Sequence, residues 1–292
     1  MSPNEPNPDR TEPGEFSFED VLVRPSKEEF RDSIYSYYEK AGRKFPWRGN
    51  TTPWGVLVSE FMLQQTQTDR ALAYWKRWMK RWPTPESLAE ASMEDALREW
   101  NGLGYNRRGR YVKECAGLIT RKYGGKVPDT PAGLLILPGI GPYTAGAIAC
   151  FAYNYSSVFI ETNIRAVLIH FFFQDRETVA DRELIPILDE TLDRRDPRSW
   201  YWALMDYGAA LKKVTVNPNR KSAHYTRQSR FEGSFRQLRG NLIKSLLSQG
   251  PGTAEDLIRR TGIGEENLYK VLEVLQKDLM VAEKEGLYTI RE

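Results

Sequence analysis

The stretch LPGIGPYTAGAIACFAYNYSSVFIETN, residues 137–163, decides the fold of this chain. It opens with the turn PGIGP at 138–142 and continues in a predicted helix of small residues from about 143 to 151. Gly139 and Gly141 suit a turn that needs unusual backbone dihedral angles and that exposes main-chain N–H groups. Because these groups lie at the N-terminus of a helix, they favour an anion such as a phosphate at this turn.

Apolar residues on both sides of the turn predict that two helices pack around it: Leu135, Leu137, Ile140 and Ile148. Such an arrangement resembles a helix-hairpin-helix, which binds the DNA backbone without recognising its sequence. Gly139, Ile140 and Gly141 are then candidate DNA contacts. A Gly-x-Gly turn by itself is also typical of an ordinary tight connection between helices, so the remaining motifs decide between the two interpretations.

The composition indicates a globular intracellular protein. The 292 residues suffice for a large domain and a small one. No apolar run approaches the roughly 20 residues that a membrane span needs, and residues 1–20 contain no apolar core of a signal peptide. The two cysteines, Cys115 and Cys150, can form neither a disulfide framework nor a four-cysteine metal cluster. We therefore expect a cytoplasmic protein without a membrane partner.

The charge of the chain is distributed unevenly. The formal net charge is +3, but residues 212–244 contain nine lysines and arginines and one acid, Glu232. A basic segment beside a nearly neutral body favours a polyanionic partner, although it is also compatible with a solvated charged surface. Arg220, Lys221 and Arg227 are the candidate phosphate contacts in the loop predicted within this segment.

One carboxylate interrupts a strongly apolar helix. The sequence WGVLVSEFMLQQTQ predicts a buried helix over 54–67 with Glu60 embedded in it. A buried acid without a partner is costly or has a raised pKa, so Glu60 is either a structural hydrogen-bonding group or a catalytic acid. Gln64 and Gln65 follow at the polar end of this helix, where they can form hydrogen bonds with bases.

A second turn presents an aromatic side chain among basic ones. The sequence GLGY at 102–105 ends in Tyr105, and Arg107 and Arg108 follow. An exposed tyrosine can enter a base stack while the arginines bind phosphates. Packing of the ring under its own loop is an equally good interpretation from these residues alone.

The pattern of helices predicts an all-α fold with a small C-terminal α+β domain. Residues 1–26 are rich in proline and predicted to be disordered, and Ser26 is predicted to cap a helix over 27–41. Residues 27–232 are predicted to form the helical domain, in two lobes. Residues 233–292 contain three predicted helices and a hairpin, as in a winged helix, whose third helix is not basic enough to distinguish DNA binding from protein contact.

Several motifs in chain order resemble one family. Residues 28–232 are similar to the helix-hairpin-helix base-excision DNA glycosylases, and within that superfamily to the adenine glycosylases of the MutY type. The motifs that carry the resemblance are PWR at 46–48, SEFMLQQTQ at 59–67, GLGY at 102–105, LPGIGPYTAG at 137–146, and Asn163 with Arg165.

The resemblance implies a role for each matching residue. Glu60 would protonate the adenine ring and then direct the water. Tyr143 would line the base pocket, and Asn163 would position groups around the sugar. Gln65 and Tyr105 would penetrate the duplex near the opposite base. A flipped base needs a dry pocket, a general acid for a poor leaving group, and negative charge near the developing oxocarbenium ion.

The chain departs from the family at three places in the glycosylase core and at a fourth in its C-terminal domain. Glu161 stands where the family has an aspartate facing the anomeric carbon; we predict that Glu161 is catalytic, the alternative being a structural bond to the N-terminus of the following helix. Tyr143 stands where relatives that also nick the backbone have a lysine, which implies weak AP-lyase activity at most. Residues 211–232 lack the cysteines that hold an iron–sulfur cluster in many relatives, so we expect no cofactor. The domain that recognises 8-oxoguanine is replaced by the predicted winged helix.

The sequence therefore predicts a monofunctional DNA glycosylase of base excision repair. Adenine is favoured as the excised base, and the expected partner is double-stranded DNA with a mismatched or damaged base, bound by a monomer associated with the nucleoid. One alternative is a mismatch thymine or uracil glycosylase, which shares the hairpin sequence. A second alternative is a protein that binds lesions without catalysis, because of the change at Glu161.

Overall fold

The computed structural model describes residues 24–49, 52–226 and 230–292. Its helices are α1 Lys27–Ala41, α2 Pro53–Leu63, α3 Thr68–Arg81, α4 Pro85–Glu90, α5 Met93–Trp100, α6 Arg107–Tyr123, α7 Pro131–Leu134, α8 Pro142–Tyr153, α9 Thr162–Phe172, α10 Asp181–Thr191, α11 Pro197–Val214, α12 Phe235–Gln249, α13 Ala254–Thr261 and α14 Glu265–Lys277. Two antiparallel strands follow, β1 Val281–Lys284 and β2 Leu287–Ile290. The predicted helical fold class with a small C-terminal hairpin is confirmed.

The chain forms two compact units. The first consists of the described parts of Met1–Lys44 and Ser156–Thr226, and the second of Phe45–Tyr155 and the described part of Arg227–Glu292. Most of the tail predicted to be disordered, residues 1–23, lies outside the described residues. The domain boundaries predicted at 26 and 232 remain predictions.

Helix α2 lies at the centre of the second unit. Residues 54–62 are all buried, because the helix is apolar on every side and can be stable only when it is surrounded by other elements. Thr52 caps its N-terminus by accepting the N–H of Gly55 at 3.1 Å. The helix packs against α3, α6 and α8. It ends at Leu63, earlier than the sequence predicts, and residues 64–67 form a turn instead.

The first unit is built on α1, α9 and α11. Ser26 and Glu29 form the capping box of α1, as the predicted cap at Ser26 requires. Phe30 of α1 contacts Phe171 and Trp200 edge-on, with ring centroids 5.0 and 5.7 Å apart. Helix α11 packs closely on α9 because it has Gly208 at the crossing, where a Cβ atom would collide with the main chain of Asn163.

The C-terminal elements α12 to β2 enclose their own apolar cluster within the second unit. Leu242, Ile243, Leu268, Leu272 and Ile290 belong to it, and Leu97 of α5 joins the same cluster. The strands pair from Val281 with Ile290 to Lys284 with Leu287. The three helices and the hairpin match the predicted winged-helix order. None of the helices within residues 24–49, 52–226 and 230–292 combines the length and hydropathy that a bilayer crossing requires.

Candidate catalytic and DNA-binding site

Glu60 lies on the buried central helix of the second unit. Glu60 is 7 % exposed. The adjacent Ser59 is 1 % exposed, and its hydroxyl donates a hydrogen bond of 2.7 Å to Val56 O. Phe61 and Met62, which follow it, are fully buried. The structure therefore places a carboxylate in a dry environment, where a proton transfer to a substrate base would not compete with bulk water.

The end of α2 meets the beginning of α8. Gln64 Nε2 donates a hydrogen bond of 3.4 Å to Thr144 Oγ1, and Tyr143, half-buried, is the second residue of α8. Helix α2 and helix α8 pack along each other. Gln64 and Tyr143 are therefore brought to the same junction, and the helix that carries Glu60 is one of its two walls.

The hairpin before α8 has the geometry that the sequence predicts. Gly139 has a φ of +75°, and a Cβ atom at this position would collide with the ring of Tyr111 on α6. Ile140 is buried and anchors the turn. Gly141 is the N-cap of α8 and, as a glycine, offers no side-chain oxygen to the first helical turn. The main-chain N–H groups at this helix end are the ones expected to receive a phosphate.

Two turns carry residues in the left-handed region of backbone conformation, one of them exposed at Gln65 and the other half-buried at Tyr105. Gln65 has a φ of +52° and Tyr105 a φ of +49°. Neither residue type favours this region, which costs on the order of 1 kcal/mol or more for a residue with a Cβ atom. Strain of this kind persists where the surrounding structure imposes it, and these are the two residues predicted to penetrate the duplex.

Arg108 imposes the conformation of both turns. It is 6 % exposed, and its guanidinium donates to the main-chain oxygens of Phe61 at 2.8 Å, Met62 at 3.1 Å and Gly104 at 3.0 Å. It also donates to Gln64 O and to Thr66 Oγ1. These bonds satisfy the last carbonyl groups of α2 and explain why the helix ends at Leu63.

The position of Arg108 corrects its predicted role as a phosphate contact. Burial lowers the pKa of Arg108 to about 10, so it remains charged at neutral pH, but four of its hydrogen bonds go to main-chain oxygens inside the protein. The sequence could not distinguish it from its neighbour. Arg107 differs: its side chain is 54 % exposed and forms a 3.2 Å ion pair with Asp278, so it remains a candidate DNA contact.

Glu161 and Asn163 lie together at the start of α9 in the first unit. Glu161 is the N-cap, and its Oε1 accepts the main-chain N–H groups of Asn163 at 2.7 Å and Ile164 at 2.9 Å. Its Oε2 accepts the side-chain N–H of Asn163 at 3.2 Å. The structure thus contains the bond to the helix N-terminus that was the alternative role for Glu161. The same bonds hold the carboxylate and the Asn163 amide in one fixed arrangement.

A basic group that the sequence analysis did not single out belongs to the surroundings of Glu161. Lys212 near the end of α11 is half-buried. Burial lowers the pKa of its ammonium group, and the negative charge of Glu161 opposes this shift only in part. Arg165, one turn beyond Glu161, forms a bidentate ion pair with Asp181 at 2.7 and 2.8 Å. The position of Lys212 at the end of an amphipathic helix offered no sequence signal for this proximity.

The predicted basic loop is only partly an open charged surface. Arg220 is exposed, whereas Lys221 Nζ donates to Gln174 O at 2.6 Å. The buried Asn219, which precedes these two residues, donates a hydrogen bond of 2.9 Å to Thr162 O at the start of α9. The loop therefore supports the first turn of α9. Arg227, the third predicted contact, lies outside the described residues.

The parts of the chain that the structure describes contain no group of three or more His, Cys, Asp or Glu side chains placed to bind a metal ion. Both cysteines are buried and neither forms a disulfide, and Cys115 Sγ donates to Pro138 O at 3.3 Å. Burial raises the pKa of the Cys115 thiol. Cys115 therefore serves the packing of the hairpin.

Tyr105 has a partner that the sequence analysis missed. Arg236 of α12 donates a hydrogen bond to the Tyr105 hydroxyl, and its guanidinium lies 5.4 Å from the centre of the tyrosine ring. The two residues are far apart in the chain, so no local pattern pairs them.

Comparison with known proteins identifies relatives of this arrangement. Residues 58–189 match the HhH-GPD superfamily base excision DNA repair protein family. An adenine DNA glycosylase of Mycolicibacterium smegmatis is 37 % identical over 234 residues, 73 % of this chain and 78 % of the relative. One of Mycobacterium tuberculosis is 40 % identical over 183 residues, 61 % of this chain, and the match spans 60 % of that relative's length. The solved structure of a thermostable thymine-DNA glycosylase shares the fold, with a TM-score of 0.58 and 21 % identity over 67 % of this chain and 91 % of that one.

Proposed function

Since this chain belongs to the HhH-GPD superfamily of base excision DNA repair proteins, together with the adenine DNA glycosylases, we propose that it hydrolyses the N-glycosidic bond of an adenine in duplex DNA. The observation that carries this proposal is Glu60, the one charged residue of a buried helix whose end meets the start of α8 beside Tyr143. A hydrolase for a poor leaving group needs such a protected acid.

In this proposal, Glu60 donates a proton to the base as the glycosidic bond breaks. The electron pair of that bond passes to the base, and positive charge develops on the sugar. Glu60, now a carboxylate, can accept a proton from the water that attacks the anomeric carbon. Tyr143, half-buried at the junction of α2 and α8, lines the pocket for the extrahelical base. General acid catalysis of this kind contributes about 10²–10⁴ to a rate.

Glu161 supplies the negative charge that stabilises the oxocarbenium-like transition state in this proposal. Three hydrogen bonds already fix its carboxylate, and a preorganised charge stabilises a transition state without reorganisation cost. The cap and the catalytic role are compatible, because a carboxylate has about four acceptor positions. Asn163 is then a positioning residue as well as a polar group near the sugar.

Base extrusion requires groups that replace the departing base in the stack. Gln65 and Tyr105 lie on turns that Arg108 holds in a strained conformation. Because these turns are already ordered, their insertion into DNA loses little further conformational entropy. The glycines of the hairpin and the exposed Arg107 and Arg220 are the proposed phosphate contacts.

We propose further that the chain is monofunctional and contains no iron–sulfur cluster. Cleavage of the backbone by β-elimination needs an amine that forms a Schiff base with the abasic sugar, and Tyr143 provides a phenol at the position that would hold it. A typical cluster needs four thiolates, and the chain has two cysteines. DNA binding next to the core then depends on the basic loop.

A base-release screen tests the proposed function. Duplexes that carry adenine opposite guanine, cytosine or 8-oxoguanine, and thymine or uracil opposite guanine, are incubated with excess protein and then treated with alkali to cleave abasic sites. We expect adenine release and little strand cleavage before alkali. Release of thymine or uracil alone would assign the protein to the mismatch pyrimidine glycosylases, and binding without release of any base would assign it to lesion binding.

A further inference from the structure

Three side chains of the second unit lie together, and the proposed glycosylase site uses only one of them, Tyr105. The guanidinium of Arg236 lies 5.4 Å from the ring centre of Tyr105 and 5.9 Å from that of Phe231. Arg236 also donates a hydrogen bond to the Tyr105 hydroxyl. We call Tyr105, Arg236 and Phe231 the aromatic–arginine cluster.

The cluster joins the turn at Tyr105 to the C-terminal elements. Phe231 and Arg236 lie on either side of the N-cap of α12, where Ser234 N–H and Oγ donate to Phe231 O at 3.1 and 2.6 Å. Asp278, after α14, binds both Arg107 and Arg239. Leu97 of α5 is buried in the apolar cluster of the C-terminal elements. These contacts hold α12 against the turn that carries Tyr105, the residue predicted to penetrate the duplex.

Phe231 is the exposed member of this cluster. It is 58 % exposed, although an aromatic ring of this size is usually buried in a core. The nearby charges sum to a positive value. Arg107 and Arg239 share the single carboxylate of Asp278, and Arg236 adds a third guanidinium. The exposed Glu232 beside Phe231 is offset by the exposed Arg230 on the other side of Phe231 in the chain. An exposed aromatic ring beside guanidinium groups is the arrangement that binds nucleobases by stacking and cation–π contact.

We propose that the aromatic–arginine cluster is a DNA-recognition surface supplied by the C-terminal elements, in which Arg236 positions Tyr105 and Phe231 stacks on an unpaired base beside the lesion. Arg236 and Phe231 therefore help the protein to distinguish DNA with an interrupted base stack from intact duplex. The partner is duplex DNA in which base stacking is interrupted, and the contact is made with the base next to the interruption. This inference rests on the proposed function for its biological meaning, but binding alone tests it.

The experiment compares binding of two duplexes that differ at one nucleotide. One carries a tetrahydrofuran abasic-site analogue, and the other is fully paired. Dissociation constants are measured by fluorescence anisotropy at one salt concentration, since affinity for DNA depends steeply on salt. The variants are Phe231→Ala and Arg236→Gln, with Tyr269→Ala as the matched control, an exposed tyrosine on α14 outside the cluster.

We expect Phe231→Ala and Arg236→Gln to weaken binding of the abasic duplex by about fivefold or more, the effect of removing one base-stacking group. Binding of the intact duplex should change by less than about twofold, and Tyr269→Ala should resemble the wild type on both. Phe231 is exposed, so its replacement leaves the fold intact and keeps the test decisive if Arg236→Gln is unstable.

Equal losses on both duplexes, unchanged binding of both, or an equal loss with Tyr269→Ala would overturn the proposal. The measurement involves no base release. Failure of the proposed glycosylase activity would therefore leave this result interpretable, and an unaffected cluster would leave the glycosylase proposal standing.

Discussion

The guanidinium of Arg108 donates a hydrogen bond of 3.0 Å to the hydroxyl oxygen of Thr66, which ties α6 to the turn that carries Gln65. The same group reaches Gly104 O at 3.0 Å, directly before Tyr105. One buried side chain therefore determines the conformation of both turns that are predicted to enter DNA. Its replacement should affect stability and the geometry of the site together.

Arg108→Ala should lower the free energy of unfolding by about 2–4 kcal/mol, because it leaves buried carbonyl oxygens without donors. Arg107→Ala is the matched control, since it removes the adjacent, exposed arginine and should change stability by less than about 1 kcal/mol. Urea unfolding followed by circular dichroism measures both. Equal effects of the two substitutions would show that the hydrogen bonds of Arg108 contribute little.

The helices and the hairpin could be predicted from the sequence because their determinants are local. Ser26 and Glu29 form a capping box within four residues, and Gly139 takes the positive φ that its position in the turn requires. Glu60 was identifiable because it is the only charged residue in an apolar helix.

The roles of Arg108 and Arg236 could not be predicted, because they depend on contacts between segments distant in the chain. Arg107 and Arg108 are adjacent and chemically identical, yet one is exposed and the other buried. The difference comes from the rotation of α6, which directs one side chain towards the end of α2. The amino-acid sequence around α6 does not show which of these two arginines faces the interior of the protein.

Arg220 should contribute to the salt dependence of DNA binding. If it contacts one phosphate, Arg220→Gln should reduce the slope of log affinity against log salt by roughly 0.9. Arg259→Gln on α13 is the control, since this arginine is also exposed but already forms an ion pair with Asp256. Filter binding at four salt concentrations measures the slopes. An unchanged slope for Arg220→Gln would show that this part of the loop faces solvent.

The Arg165–Asp181 pair should make the stability of the protein depend on acid pH. The hydrogen bond from Arg165 lowers the pKa of Asp181 below its ordinary value, so the unfolded state binds a proton more readily than the folded state. The contribution is therefore complete above a pH of about 4 and disappears as the pH falls through the folded-state pKa.

Asp181→Asn should consequently show a smaller loss of stability between about pH 5 and pH 2 than the wild type. Asp32→Asn, an exposed carboxylate on α1, serves as the control and should follow the wild-type profile. Thermal unfolding at several pH values provides the measurement. Parallel curves for Asp181→Asn and the wild type would mean that the pair does not respond to acid.

Glu60→Gln should preserve DNA binding and abolish most of the chemistry. The substitution keeps the shape of the side chain but removes its acidic proton, so single-turnover base release should fall by at least about 100-fold. Glu273→Gln, an exposed glutamate on α14, should leave the rate unchanged. Near-normal release by Glu60→Gln would assign Glu60 a structural role and place the general acid elsewhere.

Glu161 can act as a helix cap, as a catalytic charge, or as both, and two substitutions separate these roles. Glutamine retains an oxygen that can accept the N–H groups of Asn163 and Ile164 but carries no charge. Aspartate retains the charge and is a preferred capping residue, but its carboxylate is one methylene shorter. Both variants should therefore remain folded, with changes in the free energy of unfolding below about 1 kcal/mol.

The rates of base release then decide the role of Glu161. If its charge stabilises the oxocarbenium-like transition state, Glu161→Gln should abolish release, because the cap remains while the negative charge is lost. Glu161→Asp should also slow release, because a pocket shaped for glutamate would place the shorter carboxylate too far from the anomeric carbon for productive geometry. If Glu161 only caps α9, the site lacks a carboxylate where the family resemblance implies an aspartate, and Glu161→Asp should create or raise adenine release. Single-turnover rates on an adenine mismatch measure all three proteins, and a faster Glu161→Asp variant would show that this glutamate is a structural cap.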